Sequence, residues 1–168
     1  MIIVALSVTI LLLIFLAVAI YSFTIGVVFG APYLPTLNEQ RQIALEMLDL
    51  KPGQTLYDLG CGDGRMLRSA AQAGLKAVGY ELSPILYVVA RMVNWRYRRQ
   101  VKVILGNYWA ADWAAADGIF VFLMDRYMGR FDKKVRQLGK PIKVASYTFK
   151  VPGKKPVRTK KAVFLYQY

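Results

Sequence analysis

The stretch Asp58-Leu59-Gly60-Cys61-Gly62-Asp63-Gly64-Arg65 decides the fold. It follows the run Thr55-Leu56-Tyr57 and precedes an amphipathic segment from Met66 to Ala73, so it reads as the turn between a first strand and a first helix. Glycines at alternate positions let the backbone turn tightly and approach a flat ligand, because no Cβ intervenes. Asp58, at the end of the strand, is placed to accept hydrogen bonds from a cationic group. Cys61, the single cysteine of the chain, reads as a small residue filling the turn rather than as a reactive thiol.

The competing glycine patterns fail on specific positions. A dinucleotide fingerprint G-x-G-x-x-G counted from Gly60 and Gly62 needs a third glycine where Arg65 stands. An acid beside the turn would also repel a pyrophosphate. No Gly-Lys-Ser/Thr follows, so the Walker pattern is absent as well. A second acid, Glu81 in Gly79-Tyr80-Glu81-Leu82, falls where the next strand ends. There its carboxylate can accept both hydroxyls of a ribose while Leu82 packs on an adenine. A cationic adenosyl ligand without phosphate satisfies all of this, and S-adenosylmethionine (SAM), with its ammonium and sulfonium, is that ligand. Gly106-Asn107-Tyr108-Trp109 follows a third strand. Asn107 offers donors and acceptors to an adenine edge, and Tyr108 either walls the pocket or belongs to the core. At the fourth strand end, Asp125 either orients an incoming amine or pairs with Arg126.

Composition bounds the chemistry. The chain has 168 residues, enough for one domain with a real core. It contains no histidine, which removes histidine bases, nucleophiles and metal ligands, and one cysteine excludes multi-cysteine zinc sites. No metal site is expected. From Ile2 to Phe29 the sequence is almost wholly apolar, and the first charged residue is Glu39. A helix of that length extends about 40 Å against a hydrocarbon core of about 30 Å. A signal peptide would need a basic start and a shorter apolar run, and a core helix would not be charge-free on every face. Residues 1–29 therefore read as a single-pass transmembrane anchor. All 23 Lys and Arg lie beyond it, which places the following domain in the cytoplasm.

Residues 30–53 read as a linker and a helix before the glycine turn. Gly30 to Pro35 breaks the first helix, and Thr36 and Glu39 have the spacing of a capping box. The remainder, 54–168, alternates strands and helices. Strands are expected at Thr55–Leu59, Ala77–Glu81, Val101–Leu105, Gly118–Leu123, Ile142–Phe149 and Ala162–Tyr168. Helices are expected at Arg65–Ala73, Ser83–Arg98 and Met128–Leu138. The fold class is α/β, a Rossmann-like parallel sheet flanked by helices, with ligands at the carboxyl ends of its strands.

These residues resemble the class I, seven-β-strand, SAM-dependent methyltransferases. More narrowly, the chain is similar to a membrane-anchored protein lysine methyltransferase family, whose animal members are mitochondrial and modify the ATP synthase c subunit and the adenine nucleotide translocase. The likeness rests on the apolar anchor, Ala31-Pro32-Tyr33-Leu34-Pro35-Thr36, the glycine turn, Val78-Gly79-Tyr80-Glu81-Leu82-Ser83-Pro84, Asn107-Tyr108-Trp109 and Phe149-Lys150-Val151-Pro152. It implies SAM contacts from Asp58, Gly60, Gly62 and Glu81, with Thr36 near the methionine end, and Cys61, Gly64, Leu82, Asn107 and Tyr108 complete the expected cofactor site. Asn107 stands where the family usually has Asp, and Asp125-Arg126-Tyr127 replaces a small turn. Asp125, Tyr127 and Tyr147 are the expected pocket residues for a lysine on a membrane-associated protein. A methyltransferase for a quinone or lipid head group, an RNA methyltransferase and a non-catalytic scaffold are the alternatives. The net charge of +13 forms two clusters, Arg91 to Lys102 and Lys150 to Lys161. Both are expected to attract anionic lipid heads, and nucleic acid is a lesser partner class.

Overall fold

The computed structural model describes residues 1–29 and 34–168, with side chains for all of these except 19 and 22–29. The expected break over Gly30 to Tyr33 lies outside the described residues. Two helices come first, α1 (Ile2–Phe29) and α2 (Asn38–Leu48). Then follow β1 (Thr55–Leu59), α3 (Arg65–Gln72), β2 (Lys76–Glu81), α4 (Pro84–Val93), β3 (Val101–Leu105), β4 (Gly118–Val121), α5 (Asp125–Arg136), β5 (Lys143–Tyr147), β6 (Arg158–Lys160) and β7 (Val163–Gln167).

The seven strands form one sheet in the order β3-β2-β1-β4-β5-β7-β6. The sheet is mixed rather than wholly parallel, because β7 runs antiparallel to both β5 and β6. From β1 the chain winds outward through β2 to β3, then crosses back to β4 on the other side of β1. The strand order thus reverses at β1, where an open α/β sheet leaves a crevice at its carboxyl edge. The glycine turn leaves β1 at that crevice.

Alternation along the strands builds two cores. Leu56, Ala77, Phe120 and Ala145 pack under α2 and α3 with Leu48 and Leu67. Ile119, Val121, Val144 and Tyr166 pack under α5 with Trp113 and Phe131. Each fully buried leucine contributes roughly 1.5–3 kcal/mol relative to exposure. The segment from 106 to 117 carries only a single 3-10 turn, Tyr108–Ala110. Lysines pin it in place: Lys134 Nζ donates to the Trp109 and Ala111 carbonyls at 2.7 and 2.8 Å. Lys140 Nζ donates to the carbonyls of Ala114 and Ala116.

Several expected boundaries move. The capping box does not form: Leu37 is the N-cap of α2, with no side-chain cap bond. Glu39 instead pairs with Lys161 across the surface, and Thr36 is buried with its carbonyl accepting from Arg41 Nη1. α4 ends at Val93 rather than Arg98, because Asn94 is drawn inward: its Nδ2 donates to Ala90 O at 2.8 Å and to Gly64 O at 3.1 Å. α5 starts three residues early, so Asp125 lies in its first turn, where an acid suits the helix dipole. β4 stops at Val121 and β5 spans only Lys143–Tyr147. The basic stretch before β7 supplies an unexpected edge strand, β6.

Among the described residues no helix is long and apolar enough to cross a membrane. In α1 the described side chains run unbroken only from Ile2 to Val18, and all of them are exposed. α1 passes close to α4.

Candidate functional site

The glycine turn is held from three directions. The amides of Gly60 and Cys61 both donate to Tyr80 O, at 3.0 and 2.9 Å, which ties the end of β1 to β2. The amide of Gly62 donates to Glu81 Oε2 at 2.8 Å, and Glu81 Oε1 accepts from the Ser83 amide at 2.8 Å. At the far end Asn94 holds Gly64 O. Gly60 has φ +88°, and a Cβ there would point into open space. The turn therefore keeps one side clear for a ligand while the other side is bonded down. Gly64, at φ +75°, has no such room: a Cβ would meet Asn94 Nδ2 at 2.4 Å.

Cys61 turns its side chain into the core beneath α3, not toward the open side. Gly79 makes this possible, since a Cβ at 79 would meet Cys61 Sγ at 2.7 Å and Leu67 Cδ1 at 2.6 Å. Burial, with Asp58 and Glu81 adding to it, pushes the Cys61 thiol pKa well up.

The electrostatics are one-sided. Asp58 is 4% exposed, and the charges that act on its carboxyl are both acids. Burial first, then the nearby charges of Glu81 and Asp63, pushes its carboxyl up to about 8. Burial also raises Glu81, against the opposing effect of its amide donors. Two desolvated carboxyls beside an open backbone turn make a niche for a cation bearing hydrogen-bond donors. Asp63 is engaged elsewhere, in an ion pair with Arg65 at 2.6 Å.

Around this centre the other expected residues take different roles. Leu82 is half-buried between β2 and α4. Asn107 is exposed, and its Oδ1 accepts from the Trp109 amide at 2.9 Å, which leaves its amide nitrogen for other partners. Tyr108 is buried in the α5 core, its hydroxyl pushed up to about 12 chiefly by desolvation. Its ring is a core ring under the site. Thr36 is held near α3 by Arg41, whose Nε donates to Ser69 Oγ at 3.1 Å.

The three pocket residues are split between the two faces of the sheet. Tyr127 packs on the α5 side, 6.3 Å from the Trp109 ring, with the Arg126 guanidinium 4.9 Å above it. No ion pair links Arg126 to Asp125 among the described residues, and Asp125 is exposed. Tyr147, at the end of β5, packs on the α2 and α3 side, 4.7 Å from Phe122, which in turn stacks with Phe149 at 6.4 Å. Phe122, Tyr147 and Phe149 form an aromatic wall at the carboxyl ends of β4 and β5. Such a wall accepts an alkyl stem and a cationic head alike. Phe122, Asn94 and Arg41 carry no sequence signal of a site residue. Each acts through a contact with a distant segment, and no local pattern marks it.

A family profile described as the ANTKMT methyltransferase domain matches residues 58–158. A Rattus norvegicus lysine N-methyltransferase of the ATP synthase c subunit is 31% identical over 131 residues, which cover 76% of this chain and 60% of that protein. A Mus musculus adenine nucleotide translocase lysine N-methyltransferase is 32% identical over 130 residues, covering 75% of this chain and 56% of that protein. The chain thus spans a little over half the length of these relatives. A crystal structure of an RNA methyltransferase from Salinibacter ruber in complex with S-adenosyl-L-homocysteine superposes with TM-score 0.73 at 26% identity, over 80% of this chain and 92% of that one. The matched stretch takes in the turn from Asp58, the acid at the end of β2 and the wall at β4 and β5, and the chain belongs to the ANTKMT methyltransferase domain family.

Proposed function

We propose that the chain is a membrane-anchored, SAM-dependent methyltransferase that transfers a methyl group to a lysine side chain of a membrane-associated protein. The observation that carries the reading is the buried Asp58, with only acids as its charged neighbours, beside a glycine turn closed onto Glu81. A phosphate ligand would be repelled there, while an ammonium is drawn in. Asp58 would hold the amino group, the open side of Gly60 would admit the methionine portion near Thr36, and Glu81 would accept the ribose hydroxyls. Leu82 and Asn107 would flank the adenine. When bound, SAM supplies an activated methyl on a sulfonium that is its own leaving group.

The protein's task is then to align a neutral amine. A lysine entering along Phe122, Tyr147 and Phe149 leaves water, which lowers its pKa and favours the neutral nucleophile. No dedicated base is required. The names of the relatives support lysine as the acceptor. Anchoring is supported by the charge-free sequence of α1, a helix of 28 residues, and by the exposure of its described apolar side chains. In this reading residues 1–29 are the anchor, 30–53 the link, and 54–168 a cytoplasmic catalytic domain.

A second reading, methylation of RNA, is favoured by the activity named for the Salinibacter structure. Incubating the purified chain with membranes, RNA and methyl-labelled SAM separates the readings. Label is expected in protein, released on hydrolysis as methyllysine, and absent from an Asp58→Ala control. Label in the RNA fraction or in the lipid extract would replace lysine by that acceptor.

A further inference from the structure

α4 is apolar nearly all round, yet of its ten residues only Ala90 is buried. Its outward side carries Val88 and Met92, and Trp95 continues the stripe in the following 3-10 turn (Trp95–Tyr97). The spacing i, i+4, i+7 puts all three on one face. They are 51%, 71% and 61% exposed. Helices of soluble domains turn such stripes inward, and here α3 and the sheet leave this one outside.

The rim of the stripe is basic. The Arg91 guanidinium lies 5.6 Å above the Tyr87 ring, and that of Arg98 lies 5.0 Å above Trp95. Among the described residues neither forms an ion pair with a carboxylate, nor do Arg96 or Arg99. In the other basic cluster Arg158, Lys160 and Lys161 are paired with Glu46 and Glu39, while Lys150, Lys154 and Lys155 form no ion pair among the described residues. A shallow cleft of about 230 Å³ runs between Tyr87, Val88, Arg91, Met92 and Trp95. It offers an apolar floor with a guanidinium at its lip, the pairing that an acyl chain and a phosphate need.

We infer that the α4 face docks into the headgroup layer of an anionic bilayer, with Val88, Met92 and Trp95 inserted and Arg91 and Arg98 on lipid phosphates. Charge complementarity and the closeness of α1 to α4 select this occupant. α1 itself leaves the stripe exposed. Tryptophan and arginine are also the residues that settle at a membrane interface. The inference rests on the anchored reading only for bringing the domain to the bilayer. Because α4 follows directly on Glu81-Leu82-Ser83, docking would lay one wall of the cofactor niche against the membrane.

The test uses the full chain in vesicles of phosphatidylcholine and phosphatidylglycerol, with lipids brominated near the headgroup. The Trp95 signal is the difference between the chain and W95F. Expected is strong quenching of that difference signal, lost in V88D/M92D and weakened in R91E/R98E, with each variant keeping its circular dichroism melting curve. If the chain enters vesicles while Trp95 is unquenched and open to acrylamide, the docking is wrong and the anchor stands. If Trp95 is shielded from acrylamide but unquenched, protein covers the stripe, and the docking is again wrong. A chain that fails to associate with vesicles overturns anchor and docking together, whatever its methyl transfer activity.

Discussion

Asp58 sits almost wholly out of solvent with Glu81 and Asp63 as its nearest charges, and its carboxyl is raised from an ordinary 3.8 to about 8. For an acid raised on folding, the folded state holds the proton more tightly than the unfolded one. The associated stability is complete below about pH 4 and drains away as pH climbs toward about 8. Asp58→Asn, which keeps the shape and removes the charge, should therefore raise the melting temperature of the ligand-free protein at pH 8 while abolishing SAM binding in calorimetry. A lower melting temperature would contradict this. If Asp58 holds the SAM ammonium as proposed, binding needs the carboxylate ionised, and affinity for SAM should tighten by up to about tenfold per pH unit on approaching about 8 and then level off. A flat profile from pH 6 to 8 would show that Asp58 is already charged. The destabilising carboxyl is the same group that the proposed function assigns to the ligand, as is common where a site keeps an unmet charge.

At the scale of elements, β1 and β3 begin and end where their sequence places them. Thr55-Leu56-Tyr57 and, apart from Lys102, the run from Val101 to Leu105 are apolar or β-branched, signals that belong to the strand itself. β6 has no such signal: Arg158-Thr159-Lys160 is exposed throughout and is a strand only because β7 lies beside it. The end of α4 is equally illegible, for Asn94 stops the helix by reaching Gly64, thirty positions away. The same division applies to the site. Asp58, Glu81 and the glycines announce themselves through spacing, whereas Arg41 and Phe122 gain their roles only from tertiary contact. The segment from 106 to 117 shows how lysines can replace a helix, by occupying carbonyls that a helix would have satisfied internally. Lys134→Met should cost about 1–3 kcal/mol in denaturant unfolding, since the carbonyls of Trp109 and Ala111 lose a charged donor. An unchanged midpoint would mean that water serves them equally well.

Part of the molecule's positive charge holds the fold together. Lys143 caps the carboxyl end of α2 through Leu48 O, Lys134 and Lys140 hold the segment after β3, and the cations of β6 tie the sheet edge to α2 through Glu46. Arg91 on α4 and Arg96, Arg98 and Arg99 just after it form no ion pair among the described residues and stay available to an outside partner. The sheet is graded too: β1 and β4 are bonded on both sides and buried, and β6 is a three-residue exposed edge. Hydrogen exchange should follow that gradient, with amides of β1 and β4 slowest and those of β6 fastest. Equal protection across the sheet would argue that α2 shields the edge. The sealing of Cys61 behind Gly79 has a practical consequence of its own. Its thiol is hidden and its thiolate suppressed, so a cysteine introduced at any surface position would be the sole target for a maleimide. Spin labels or fluorophores can thus be placed one at a time on the native background, without first removing a cysteine from the glycine turn.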